Sequence, residues 1–165
     1  MFAKLPDNSL FVSMADALNP LSTYSKHPFE SDGYEWPSVE HYVNAMKFAD
    51  SKYQEKIRQA EHPAKAHKLG KTWFRKTRGD WKKVRDAIMT RAVWIKCKTY
   101  PEVAQALLDT VDQPIVETSN FDYYWGCGRD TRGLNKYGKV LMAVRDRLRE
   151  ESAGNELAPT EPTSQ

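Results

Sequence analysis

Apolar and polar positions follow two periods along this chain. Between residues 39 and 48, Val39, Tyr42, Val43 and Met46 recur every three or four positions, which predicts a helix with one apolar face. Pro37 and Ser38 open it, since proline suits a first helical turn and serine caps free N–H groups. Asp50-Ser51 ends this helix or caps a second over residues 52–60, and Pro63 opens a third that Gly70 ends. Trp81, Val84, Ile88, Ala92 and Ile95 predict a long amphipathic helix that starts at an Asp80 N-cap and ends near Tyr100. Pro101 opens another, with Val103, Ala106 and Leu107 inward, and Val140, Leu141, Val144 and Leu148 face inward in a last helix after Gly138. Short apolar runs at residues 9–13, 28–30, 34–36 and 115–118 predict strands, and Asp32-Gly33 is a hairpin turn signal. No internal repeat is visible.

Two polar stretches do not fit a simple surface. Glu40, Asn44 and Lys47 stand at i, i+4 and i+7 and form a second stripe on the first helix, flanked by Trp36, Tyr42 and Phe48. Such a stripe is either a solvated network or a carboxylate, an amide and an amine held together at a pocket. Residues 120–135 place Gly126, Gly128 and Gly133 among Phe121, Asp122, Tyr123, Tyr124, Trp125 and Asp130, a composition that suggests close approach of backbone to a ligand. The Gly-x-Gly at 126–128 lacks the spacing of a nucleotide fingerprint.

Composition narrows the class. At 165 residues, 40% hydrophobic and 28% charged, the chain is read as one soluble globular domain over 1–150. Residues 1–8 are expected to be a mobile lead, and the Pro-, Glu-, Thr- and Ser-rich residues 151–165 a disordered tail. No apolar run reaches membrane-spanning length, and the N-terminus lacks a signal-peptide core, so no membrane partner is expected. Cys97 and Cys127 make neither zinc spacing nor a redox pair, which favours a reducing, cytoplasmic location. The net charge of +3 is unevenly placed: residues 71–98 hold ten Lys or Arg against Asp80 and Asp86. Arg75, Lys76, Arg78, Lys82 and Lys83 precede or begin the long helix, where cations oppose its dipole, so they are either a solvated face or a phosphate-binding cluster at a pocket rim.

Taken together, Trp36-Pro37-Ser38-x-Glu40-His41-Tyr42, Ala45-x-Lys47-Phe48-x-Asp50, Trp81, Met89, Asp122-x-x-Trp125-Gly126-x-Gly128, Gly133-x-Asn135-x-x-Gly138 and Leu141-Met142-x-x-Arg145 resemble the NADAR (NAD and ADP-ribose) superfamily, the YbiA-like N-glycosidases. The motifs keep their order from about Asn19 to Arg149. Where that family usually reads Leu-Ser-Asn-Phe, this chain reads Leu21-Ser22-Thr23-Tyr24. The resemblance implies a mainly helical α+β fold with a few short strands. It also implies cleavage of an N-glycosidic bond between a ribose or ADP-ribose and a base, either ADP-ribosyl-guanine in nucleic acid or a phosphorylated riboflavin-pathway ribosylamino intermediate. The alternative is a module that binds ADP-ribose or NAD without turnover.

N-ribosyl cleavage passes through an oxocarbenium-like state, so the site needs a carboxylate near C1′, activation of the leaving nitrogen and a water or nucleophile. With the resemblance admitted, Glu40 is the first candidate for that carboxylate, with Lys47 and Asp122 as its catalytic partners. Lys47 is read first as a binder of phosphate or ribose hydroxyl; as a neutral amine it would instead attack C1′ and form a Schiff base after ring opening. Trp36, Trp81 and Trp125 are candidate stacking faces for the base. Asn44, Ser22, Gly126, Gly128, Asp130, Gly133 and Asn135 are candidate contacts to ribose or phosphate, with pairing to Arg129 or Arg132 as the other reading of Asp130. Among the histidines only His41 touches a motif, as a structural hydrogen-bonder. No metal-ligand cluster or cofactor fingerprint is seen, so metal-independent hydrolysis without a cofactor is expected.

Overall fold

A computed structural model describes residues 4–156. Its elements run β1 (Leu10–Val12), β2 (Phe29–Ser31), β3 (Tyr34–Trp36), α1 (Val39–Ala45), α2 (Ser51–Arg58), α3 (Pro63–Gly70), α4 (Trp81–Thr99), α5 (Pro101–Leu108), β4 (Ile115–Glu117) and α6 (Lys136–Glu156). This is the expected α+β arrangement, six helices with four short strands in two separate pairs. β2 and β3 form the hairpin, with Phe29 opposite Trp36. Asp32 and Gly33 both take positive φ, 55° and 81°, as the tight turn between two-residue-linked strands requires. β1 and β4 pair in parallel, Leu10 opposite Ile115 and Val12 opposite Glu117. That pairing brings the segment after β1 beside the loop that follows β4, with the Met14 N–H donating to Glu117 Oε1 at 3.1 Å.

Helix α1 lies at the centre, against α2, α3, α4 and β3. All seven of its residues are buried, so the polar stripe is inside along with the apolar one. Ser38 caps it, accepting from the His41 N–H and pairing with His41 Nδ1 at 2.8 Å; the His41 Nε2–H donates to the Ala60 carbonyl at 3.1 Å. His41 is thus a structural hydrogen-bonder. Asp50 resolves its own alternatives by capping α2, accepting from Lys52 N and Tyr53 N.

Three sequence readings change here. In α4 the buried residues are Met89, Ala92, Val93, Lys96 and Cys97, and of the predicted stripe only Ala92 is fully inside. The reason is Lys96: its amine donates to the Ser22 carbonyl at 2.8 Å and to Ser25 Oγ at 2.6 Å, so the core face includes a lysine that periodicity counts as outward. Asp80 stands at the N-cap position of α4 without capping it, because both carboxylate oxygens are taken by Arg78, at 2.6 and 2.9 Å. Helix α6 continues to Glu156, past residue 151 where composition predicted loss of order. The rest of that tail, and residues 1–3 of the expected lead, lie outside the described residues.

Candidate active site

The site grows from the N-terminal turn of α1. Glu40 is 6% exposed. Its Oε2 accepts from the Thr23 hydroxyl at 2.6 Å, and its Oε1 accepts from Asn44 Nδ2 at 2.7 Å and from His67 Nδ1 at 2.7 Å. A carboxylate only accepts, so His67 carries a proton on Nδ1. Burial by itself would raise the Glu40 pKa. The hydrogen bonds from His67 and Thr23, the charge His67 can carry and the Asn44 bond outweigh it, and the carboxyl sits below its ordinary value. The structure therefore builds a desolvated group that stays an anion.

Asn44 relays this to the next turn: its Oδ1 accepts from Lys47 Nζ at 2.7 Å. The Lys47 pKa is lowered, first by burial; Lys71 pushes the same way, while Glu40 and Asp122 oppose. Tyr24, beside Thr23, has its phenol pushed up to about 12 by burial and by the Glu40 charge.

The far wall is the loop after β4. Asp122 Oδ1 accepts from Tyr124 N at 2.9 Å and Trp125 N at 2.7 Å, which folds the loop into a tight turn and leaves the second oxygen without a partner among the described residues. Tyr124 bonds Asp86 of α4, which also accepts from Lys136 at 2.9 Å, and the Arg85 guanidinium lies 3.2 Å from the Tyr124 ring centroid. Two adjoining cavities share Met14, Glu40, His67, Lys71 and Asp122 as walls. One, of about 230 Å³, adds Asn44, Lys47, Trp81, Arg85, Tyr124 and Trp125; the other, of about 380 Å³, adds Tyr24 and Phe121.

Glu40, Asn44, Lys47, Asp122, Trp81 and Trp125 are thus brought together; the helical stripe and the family resemblance led us to expect this of the others, and the resemblance alone of Trp81. The remaining predicted contacts have other work. Trp36 is 2% exposed, edge-on to Tyr42, with Nε1 donating to the Ser31 carbonyl. It is core, and it borders a separate 630 Å³ cavity with Asp32 and Tyr34. Ser22 is fully buried and spends its Oγ on Ser25 N and its carbonyl on Lys96. The Asn135 amide is spent on β4, accepting from Glu117 N and donating to the Ile115 carbonyl. Gly128 and Gly133 give their N–H groups to the Ser119 and Cys127 carbonyls. A side chain on Gly126 would strike Glu117 Oε2 at 2.3 Å, and one on Gly133 would strike the Gly126 carbonyl at 2.3 Å. These glycines pack the loop against itself, so the close approach they permit is to protein. Asp130 bonds Arg132, by its backbone N–H and by an ion pair of 3.6 Å, as its other reading had it.

Thr23, His67, Lys71, Arg85 and Tyr124 were not anticipated as site residues. In sequence Thr23 is only a departure from a family motif, and His67 sits on α3, whose own pattern is that of a surface helix. The signal that was available is Gly70. It ends α3 without a left-handed cap, since neither Gly70 nor the C-cap Lys71, at φ −93°, takes a positive φ. The glycine is needed for room: a Cβ there would fall 2.0 Å from Asn44 Oδ1. Gly70→Ala is expected to push Asn44 off both Glu40 and Lys47, to destabilise by about 1–3 kcal/mol, and to lose proportionally more activity than stability, read by turnover and melting temperature together.

Among the described residues, no three His, Cys, Asp or Glu side chains form a group able to hold a metal ion, and no helix is long and apolar enough to cross a membrane.

The NADAR domain model matches residues 4–149. N-glycosidase YbiA of Escherichia coli (strain K12) is 35% identical over 138 residues, 84% of this chain and 86% of that one. Its NMR structure superposes with a TM-score of 0.81 over 96% of this chain and 94% of that one, at 31% identity. N-glycosidase Npun_R5314 of Nostoc punctiforme is 40% identical over 131 residues, 78% of this chain and 84% of that one. Riboflavin biosynthesis protein VVA0006 of Vibrio vulnificus is 39% identical over 120 residues, 73% of this chain and 33% of that one.

Proposed function

Because the chain belongs to the NADAR domain family, we propose that it is an N-glycosidase that cleaves the bond between C1′ of a ribose or ADP-ribose and a base nitrogen. The observation that carries this reading is the Glu40 carboxylate, 6% exposed yet held ionised by three donors, with the Lys47 amine one bridging amide away. As the C1′–N bond stretches, positive charge grows at C1′ and the ring oxygen. A preformed, buried anion stabilises that charge more than it stabilises the neutral ground state. Asp122, with one oxygen left over, accepts from ribose hydroxyls. Trp81 and Trp125 flank the leaving base, and Lys71 and Arg85 face phosphate. A module that only binds ADP-ribose has use for the cations but none for an ionised buried carboxylate. Two relatives are named N-glycosidases and a third a riboflavin biosynthesis protein, so both a modified nucleic acid and a free ribotide are substrates to test. Cys97 and Cys127 are free and buried, which suits a reducing cytoplasm.

The test is incubation with ADP-ribosylated guanosine, an aminouracil ribotide, NAD and ADP-ribose, with the freed base followed by chromatography. Release from at least one is expected. Binding of ADP-ribose with no base released from any of them would make this a binding module. We also expect EDTA to leave the rate unchanged; loss with EDTA and rescue by a divalent ion would show a metal-dependent site.

A further inference from the structure

Between Lys71 and Trp81 the chain presents two large aromatics to solvent. Trp73 is 83% exposed and Phe74 76% exposed. Their rings stack on each other, centroids 3.9 Å apart at 30°. Burying either would be favourable, so an outward pair of this size marks a contact surface. Lys68, Lys71, Lys76, Lys82 and Lys83 surround the pair in sequence, all exposed and in no ion pair among the described residues. Arg75 and Arg78 are neutralised by Asp50 and Asp80. Phe74, Thr72 and Arg75 form one side of an open groove of about 860 Å³ whose other side, along α2 and α3, carries Lys56 and Lys68, with Lys65 paired to Glu61 at 3.5 Å.

The loop is tied to the site at both ends. Lys71 lines both cavities at Glu40 and Trp81 lines one. The Arg78 N–H donates to the Lys47 carbonyl at 2.8 Å. Flat exposed rings rimmed by unpaired cations are what stacked bases and their phosphates require, and the stacking is indifferent to sequence. A protein partner would also use aromatics, but against this rim it would have to be strongly acidic.

We propose that the Trp73–Phe74 loop and its lysines bind a single strand of nucleic acid and lead a modified base of that strand into the Glu40 pocket. The purpose, though not the binding, rests on the N-glycosidase reading. The experiment follows fluorescence anisotropy of a labelled oligothymidylate of about 12 nucleotides, near the site size of a stacking platform. It is read at about 50 mM and about 200 mM salt, across which phosphate contacts weaken. In parallel, base release is measured from ADP-ribosylated guanosine, free and within an oligonucleotide. The intact chain is expected to bind the strand, more weakly at higher salt. Trp73→Ala with Phe74→Ala should loosen it about tenfold or more, and Lys82→Gln with Lys83→Gln should flatten the salt slope by roughly 1.4, about 0.7 for each lysine on a single strand. Both should slow the oligonucleotide substrate and spare the free nucleoside, which excludes a folding defect. Leu18→Ala, also an exposed apolar residue, should change nothing. Equal strand binding by the aromatic variant, or equal losses on both substrates, overturns the proposal. So does a self-associated protein that the aromatic variant dissociates while its strand binding is untouched. If the strand binds but no substrate is cleaved, the glycosidase reading fails and the surface stands.

Discussion

Glu40→Gln is expected to leave the protein folded and to lower turnover by at least about a hundredfold, the usual cost of removing a preorganised charge from the transition state. The structure shows why the fold should survive. Glutamine keeps one carbonyl oxygen, which can go on accepting from Asn44 and His67. Its amide N–H can donate to Thr23 Oγ1, whose own proton then turns to the Met14 carbonyl, already 3.2 Å away. Every donor now bonded to Glu40 keeps an acceptor, and the charge is lost. Near-normal turnover at an unchanged melting temperature would remove Glu40 from the chemistry. The same variant reports on stability. A carboxylate whose native pKa lies below its unfolded one adds stability above the unfolded value and loses it as pH falls through the native value. The Glu40 pKa is lowered in this way. The melting temperature of the unmodified protein should therefore fall more steeply on acidification below the ordinary glutamate range than that of Glu40→Gln.

How much of this could be read from the chain depends on how far each partner lies along it. The Glu40, Asn44, Lys47 stripe is local, set by the helical period, and it was legible as a candidate cluster. The Asp32-Gly33 turn was legible because two residues at positive φ are demanded by the hairpin itself. What sequence did not reveal depends on contacts made across the fold. Thr23 and His67 reach Glu40 from 17 residues before and 27 after it. They meet there only because α3 packs on α1 and the turn after β1 folds over its N-terminus. Lys96 reads as surface until the Ser22 and Ser25 oxygens are placed beside it. Its burial holds the amine near pKa 7. Trp36 failed as a stacking face for the opposite reason: its motif is at the site, but its side chain points to the other side of α1 and completes the core. The glycines of 126–133 do signal close approach, yet composition cannot say whether the approaching group is a ligand or the loop's own carbonyls. Thr23, which stands where the family pattern usually reads Asn, donates its hydroxyl to the Glu40 carboxylate.

The second large effect is expected at Lys47, where the structure changes the balance between two roles. The sequence favoured binding, because neither burial nor basicity could be read from it. Burial is now visible, and it lowers the pKa of the amine. Asn44 holds the amine on the Glu40 side of the pocket. An amine whose pKa is lowered by desolvation and by a neighbouring cation, here Lys71, is the arrangement that covalent catalysis uses. We therefore propose that Lys47 Nζ attacks C1′ as the C1′–N bond breaks. The bonding pair stays on the base nitrogen, which takes up a proton. Opening of the ribose ring then converts the adduct to an imine, with the C4′ oxygen taking the proton. Water adds to C1′, the C1′–Nζ bond breaks, and the sugar leaves with its hydroxyl while the amine is restored. Nothing is oxidised or reduced. Borohydride added during turnover should trap the imine as a stable amine, adding the mass of the sugar moiety to a peptide containing Lys47. Lys47→Met should show no adduct and should lose roughly three orders of magnitude or more in turnover, as removal of a covalent nucleophile does. Because the neutral amine is the reactive form, the rate of the intact enzyme should rise with pH through a value below that of an ordinary lysine. A mere binding cation would give the reverse, a rate that falls as the amine loses its charge. Full turnover under borohydride with no adduct, or a Lys47→Met variant that raises KM and leaves kcat intact, would return Lys47 to the binding role and leave the attack on C1′ to water.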